Sequence, residues 1–209
     1  MSQVTGLDNT ALLPPYFPAW RGEDQLFGAM VEYLYPDSLV LNYPWAVPHL
    51  PMEERTGYIT PHPESAGGSG LVEAHVSEHA PDNPDLPLDM RLASLVQLLR
   101  EMSHYGDEQL GIAFRVGLAA EQANSARLMA DKLRAAPQSH GEWRDILQDR
   151  GSRFFQAIGR NEVPVKVSGV PQEMDEAAMW QRFRELAAKF ADALEAWPEI
   201  REAAAAIIH

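Results

Sequence analysis

From residue 88 onward, apolar residues recur at the three-to-four spacing of an α-helix with one buried face. Leu88, Leu92, Leu95, Val96 and Leu99 predict a first helix of this region, ended near Gly106. Leu110, Ala113, Phe114, Gly117, Leu118 and Met129 predict a second, running to about Ala136. Trp143, Ile146, Leu147 and Phe154 share the apolar side of a third over 142–158, with Gly159 as its stop. Met179, Phe183, Leu186, Phe190 and Leu194 mark a last long helix starting near Glu173, and Pro198 is expected to separate it from a short Ala-rich terminal helix. The placement of Trp143, Trp180 and Trp197 at helical spacing assigns them to the core.

The first part of the chain has a different texture. Pro14, Pro15 and Pro18 favour extended or turn backbone, so residues 1–20 read as a packed loop. Glu23 and Asp24 suit the first turn of a helix whose apolar positions Leu26, Phe27, Met30, Val31 and Leu34 lead to Tyr35, with Pro36 closing it. Residues 38–43 are apolar and bounded by Pro36 and Pro44, which predicts one buried strand. Pro, Gly, Ser, His and acids dominate 51–87, which reads as a long loop, most flexible at Gly67-Gly68-Ser69-Gly70. A further short strand is expected at 163–167. The expected fold is therefore mainly α, with a small α/β-like N-terminal unit over residues 1–60, a flexible Pro/Gly-rich loop over 61–87, and a helical domain over 88–209. The N-terminal unit packs on a bundle of four to five helices.

Composition narrows the partners. With 30 acidic and 17 basic side chains, the formal net charge of −13 repels phosphate backbones and anionic lipid surfaces, so nucleic acid is not an expected partner. There are no cysteines, which excludes disulfides, thiolate metal sites and cysteine nucleophiles and fits a reducing, cytoplasmic setting. No apolar run is long enough for a membrane span, and no signal peptide is expected.

Candidate chemistry concentrates between Leu12 and Pro51. Glu23 and Asp24 after Arg21-Gly22 have two readings: solvated acids that favour a helix N-terminus, or a carboxylate at a pocket mouth that accepts a proton from a hydroxyl while Arg21 supplies positive charge. His49, flanked by Pro48 and Pro51, sits on a stiff loop suited to a metal ligand or proton carrier, or is merely exposed. Trp45 offers a flat apolar face for a sugar ring, or anchors the loop in the core.

Gly6-Leu7-Asp8-Asn9, Leu13-Pro14-Pro15, Arg21-Gly22-Glu23-Asp24-x-x-Phe27-Gly28 and Pro44-Trp45-x-x-x-His49 together resemble the later part of the catalytic domain in bacterial nucleotide-sugar glycosyltransferases of the A-type fold. The resemblance spans about residues 6–51. It implies that Glu23 or Asp24 is the base facing an acceptor hydroxyl, that His49 completes a divalent-metal site for Mn or Mg, and that Arg21 and Trp45 line the substrate. In that family an α/β half ending in an Asp-x-Asp metal motif binds the nucleotide. Nothing ahead of Gly6 corresponds to it, and Asp82-Asn83-Pro84-Asp85 follows the acid pair instead of preceding it. Transfer is therefore expected to need a nucleotide-sugar-binding partner subunit, or the chain is a sugar-binding remnant.

Two rival readings come from the residues alone. An acidic helical adaptor or immunity-type protein would use its surface charge against a basic partner. A zinc hydrolase would use His75-Val76-Ser77-Glu78-His79, which fits the H-x-x-E-H pattern, with two histidines on one helical face and Glu78 as base. Gly67-Gly68-Ser69-Gly70 lacks the lysine of a phosphate loop, the acids and arginines of 142–153 read as a solvated face with i,i+4 pairs, and His104 reads as a helix cap.

Overall fold

The computed structural model describes residues 6–39, 66–67, 70–83, 85–138, 140–158, 167–171 and 173–208. They form a helical bundle: α1 (Glu23–Leu34), α2 (Gly70–Glu78), α3 (Leu88–Ser103), α4 (Asp107–Ala135), α5 (Gly141–Ala157) and α6 (Glu176–Ile208). β1 (Ala66–Gly67) and β2 (Val167–Ser168) pair in parallel, two residues each.

The centre is the pairing of α3 with α6. On α6, Met179, Trp180, Phe183, Leu186, Ala187, Phe190, Ala191 and Leu194 are buried; on α3, Leu92, Leu95, Val96, Leu98, Leu99 and Met102 are. Both sets follow the helical period, so each helix turns one apolar face inward. Arg100 on α3 pairs with Asp192 and Glu195 on α6, whereas Arg184 on α6 reaches Asp107 at 2.5 Å, just beyond the end of α3. Rising numbers on one helix meet falling numbers on the other: the pair is antiparallel. Asp175 opens α6 by accepting the Ala178 N–H at 2.7 Å.

α1 buries Leu26, Phe27, Ala29, Met30, Tyr33 and Leu34 against α2 and α3. Ahead of it, residues 6–22 run as a strap over the bundle, as the proline content predicts. Tyr16 stacks on Phe27 at 4.4 Å, Phe17 meets Phe190 edge-on at 5.0 Å, and Trp20 stacks on Phe183 at 5.9 Å. Trp197 Nε1 donates to the Leu13 carbonyl at 2.7 Å, Arg201 to that of Asn9 at 2.7 Å, and Tyr35 Oη to that of Leu12 at 3.0 Å. Side chains thus satisfy backbone that a strand would have satisfied by a ladder.

Several expectations change. The small α/β-like N-terminal unit is not supported: the described residues 6–39 hold a loop and one helix, and the strand expected at 38–43 lies outside the described residues from 40 onward. The helix α2 occupies part of the span read as loop, because Leu71, Val72 and Val76 find apolar cover against α1. α6 runs through Pro198 instead of stopping. The missing proline N–H removes one intrahelical bond, while the Trp197 and Arg201 anchors hold both sides of the ring against the strap. Trp180 is core at 1% exposure and Trp197 is half-buried, but Trp143 is 46% exposed. α5 packs on α4, and its buried Leu147, Phe154 and Ala157 lie outside the main core, so one helix alone cannot cover its apolar side.

Arg91 is the buried polar tie of the fold. At 2% exposure it donates to the carbonyls of Leu86 (2.9 Å), Tyr33 (3.2 Å) and Asn83 (2.6 Å), joining the end of α1, the 83–86 turn and the start of α3. Arg91→Ala leaves three carbonyls short of a donor and is expected to cost about 2–4 kcal/mol. Arg91→Lys is expected to recover little, since an ammonium cannot reproduce the planar fork. Denaturant unfolding of both variants checks this.

Candidate functional site

Three groups of chemistry-bearing residues are described. The first is the start of α1. Trp20 has φ 63° and Gly22 has φ 99°, so the chain turns through the left-handed region twice within three residues. For a bulky residue such as tryptophan that conformation costs about 1–2 kcal/mol and persists only when its surroundings hold it. They do: Trp20 stacks on Phe183, and Gly169, itself at φ 91°, lies so close that a Cβ there would come within 3.1 Å of the Arg21 nitrogen. Gly22 takes the N-cap position without a side-chain cap, leaving Glu23 half-buried and Asp24 exposed in the first turn. Helix-terminal N–H groups and two carboxylates therefore share one tightly braced corner. Arg21 is exposed beside them. Trp45 and His49 lie outside the described residues, so the expected metal and sugar contacts are not described beside the acid pair.

The second group sits at the far end of α2. His75, Glu78 and His79 each offer a ligand atom, all within 4.8 Å of one another. The i, i+3, i+4 spacing places them on one side of the last helical turn. The helix is only nine residues long, but it is packed through Leu71, Val72 and Val76. His79 Nδ1 lies 2.9 Å from the His75 carbonyl. A carbonyl can only accept, so Nδ1 carries the proton and Nε2 the lone pair. Burial lowers the His75 pKa, His79 lowers it further, and the Glu78 and Glu101 carboxylates oppose the shift.

The third is a cleft of about 490 Å³ between α2 and α4, reached at one edge by Gln25 of α1. Glu73 and Glu78 line one wall and Glu121 the other, over an apolar floor that includes Phe114. Burial raises the Glu73 pKa above its ordinary 4.5, and burial followed by repulsion from Glu73 raises that of Glu121. This carboxylate pair was not among the sequence candidates. Glu73 fell in a presumed loop and Glu121 in an unremarkable helical face, and only the packing of α2 on α4 brings them together. Gln25 extends the cleft to the residue after Asp24, while Glu23 and Asp24 do not line it.

The remaining candidates are structural. Asn83 closes a turn, accepting the Asp85 N–H at 3.0 Å and presenting its carbonyl to Arg91. His104 caps α3, with Nδ1 2.6 Å from the Arg100 carbonyl, and Arg153 pairs with Asp149 at i,i+4. Among the described residues no helix is long and apolar enough to cross a membrane. Comparisons with family models, with curated proteins and with solved structures find no match.

The raised carboxyl pKa values carry a pH signature. The folded state holds these protons more tightly than the unfolded chain, so ionisation opposes folding above the folded pKa, and the penalty disappears below about 4.5. Glu121→Gln is expected to raise Tm at pH 7.5 by at most about 2 °C, since the carboxyl lines an open cleft where solvent still screens it in part, and to leave Tm unchanged at pH 4. Calorimetric melting at the two pH values measures the difference.

Proposed function

We propose that this chain is the acceptor-facing part of a nucleotide-sugar glycosyltransferase, working with a nucleotide-binding partner subunit. The observation that carries the reading is the strained, braced turn Trp20-Arg21-Gly22, which holds Glu23 and Asp24 at the start of a buried helix next to a cleft. Strain of this kind is retained where geometry matters more than stability. In this reading Asp24, the more exposed acid, or Glu23 takes the proton of an acceptor hydroxyl while that oxygen bonds to the anomeric carbon and the nucleoside diphosphate departs. Arg21 offsets charge near the acids, Trp45 packs on the sugar ring, and His49 contributes to a site for Mn or Mg that would neutralise the leaving diphosphate.

Thermal shift across nucleotide sugars tests it. With Mn²⁺ present, a matching nucleotide sugar is expected to raise Tm by at least about 5 °C at a hundredfold excess over Kd. The rise is expected to vanish in His49→Ala and to survive in His79→Ala. Asp24→Asn or Glu23→Gln is expected to cut transfer by about 10²-fold or more with an unchanged Tm. Neither a shift nor transfer with any nucleotide sugar, for the chain alone and for its complex with the partner, would remove the reading.

A second reading, a helical interaction protein, is favoured by the arm formed by α4 and α5. Phe155 is 74% exposed there, and Trp143 and Ile146 are exposed elsewhere on the same helix. The two helices carry seven acidic and seven basic side chains, so the net charge of −13 resides in the rest of the chain. A basic protein would then meet the body of the bundle, with the arm free for apolar contact. Tight stoichiometric binding of a basic protein that weakens steeply with salt would support this reading over the first.

A further inference from the structure

We propose that His75, Glu78 and His79 form a binding site for a divalent cation of the zinc type, separate from His49 and independent of the transferase reading. His75 and Glu78 come from the last turn of α2 and His79 follows its end directly, with a ligand atom of each within 4.8 Å of the others, so small side-chain rotations bring them to a common centre. The hydrogen bond from His79 Nδ1–H to the His75 carbonyl fixes the ring and its tautomer, the role that outer-sphere carbonyls play for metal-bound imidazoles. His75 Nε2 is sealed from solvent and has no hydrogen-bond partner among the described residues. A buried polar atom in that state calls for a ligand, and ligation through Nε2 supplies one.

The surroundings favour positive charge. The cluster lies at the C-terminal end of α2, where the last carbonyls present partial negative charge. Glu101 on α3 lies within electrostatic reach of His75, and the Tyr105 ring packs edge-on against that imidazole at 5.9 Å, walling one side. The imidazole rings of His75 and His79 are only 4.2 Å apart, an approach that two imidazolium ions would resist and a shared cation would stabilise.

Donor type sets the preference. Two imidazoles and one carboxylate suit zinc and its neighbours, whereas Mn and Mg prefer oxygen-rich sites. Three protein donors leave a coordination position for water or a ligand atom. Glu78 also belongs to the wall of the 490 Å³ cleft, so a cation held here borders a cavity whose walls also carry Glu73 and Glu121.

Isothermal titration of the metal-free full chain with ZnCl₂, paired with thermal melting, tests the proposal. The expected result is about one Zn²⁺ per chain, a raised Tm, and weaker binding of Mn²⁺ and Mg²⁺ under the same conditions. His75→Ala and His79→Ala are each expected to reduce affinity at least about tenfold. Glu78→Gln, which disturbs no buried group, should weaken binding without lowering the metal-free Tm, and His140→Ala and His49→Ala should leave zinc binding intact. Full zinc stoichiometry in the His75→Ala/His79→Ala double variant, or tighter binding of Mn²⁺ than of Zn²⁺, would overturn it.

Discussion

The antiparallel contact between α3 and α6 is the constraint to which the other elements answer. Each of these helices is amphipathic and unable to hide its apolar face alone: α3 supplies mainly branched side chains inward, and α6 sets Trp180, Phe183, Leu186, Phe190 and Leu194 beside the small Ala187 and Ala191. Fully burying a side chain such as Leu95, Leu99 or Leu194 contributes about 1.5–3 kcal/mol, so the seam dominates the favourable energy of the bundle. Phe183 and Phe190 do double service: they fill the seam and also receive Trp20 and Phe17 from the N-terminal strap. The corner holding Glu23 and Asp24 is thus braced through the same rings that stabilise the core. A cavity opened at Phe183 would loosen both.

That dependence explains how a left-handed tryptophan is maintained. Its conformational cost is about 1–2 kcal/mol, which one stacked aromatic pair and the burial behind it can offset. Gly169 completes the brace from the other side, because its missing Cβ lets the turn after β2 touch the backbone of Trp20 and Arg21. The short pairing of β1 with β2 therefore serves position more than energy: two residues per strand contribute little stability, but they fix where Gly169 lies. Asp24 in turn is exposed in the first turn of α1, where the position of the helix start is set by the backbone geometry of Trp20 and Gly22.

The bundle was legible where apolar residues were dense. α3, α4 and α5 fall within a few residues of their expected limits, since Leu, Phe and Trp recur over three or more turns and Gly or Pro closes each run. α2 was hidden because nine residues with three buried side chains carry no clear period, and its stability comes from α1, not from its own sequence. Pro198 misled because a proline reports only the loss of one local bond, while Trp197 and Arg201 act across the whole length of the chain. Trp143 misled for the opposite reason: its spacing was right, but α5 packs mainly on α4, and Trp143 stays exposed. The acid pair, its arginine and the H-x-x-E-H cluster were all readable as motifs. Glu73 and Glu121 were not, because a carboxylate pair made by two helices leaves no spacing to recognise.

The charge distribution links the candidate sites physically. α4 and α5 together are neutral, so the acid excess resides in the rest of the chain, and the cleft brings Glu73 and Glu78 to close quarters with Glu121 of α4. A diphosphate approaching such a surface meets repulsion at every distance shorter than the Debye length, roughly 8 Å in physiological salt. An anionic donor can settle there only with a cation between it and the protein, which makes metal dependence a requirement of the transferase reading and not an accessory to it. The same field concentrates divalent cations at the protein surface, and only a cluster with imidazole donors converts that concentration into selectivity. Under the two proposals, Mn or Mg at a site that includes His49 and zinc at the two-imidazole, one-carboxylate cluster at the end of α2 would therefore be separate occupants, told apart by their donor sets.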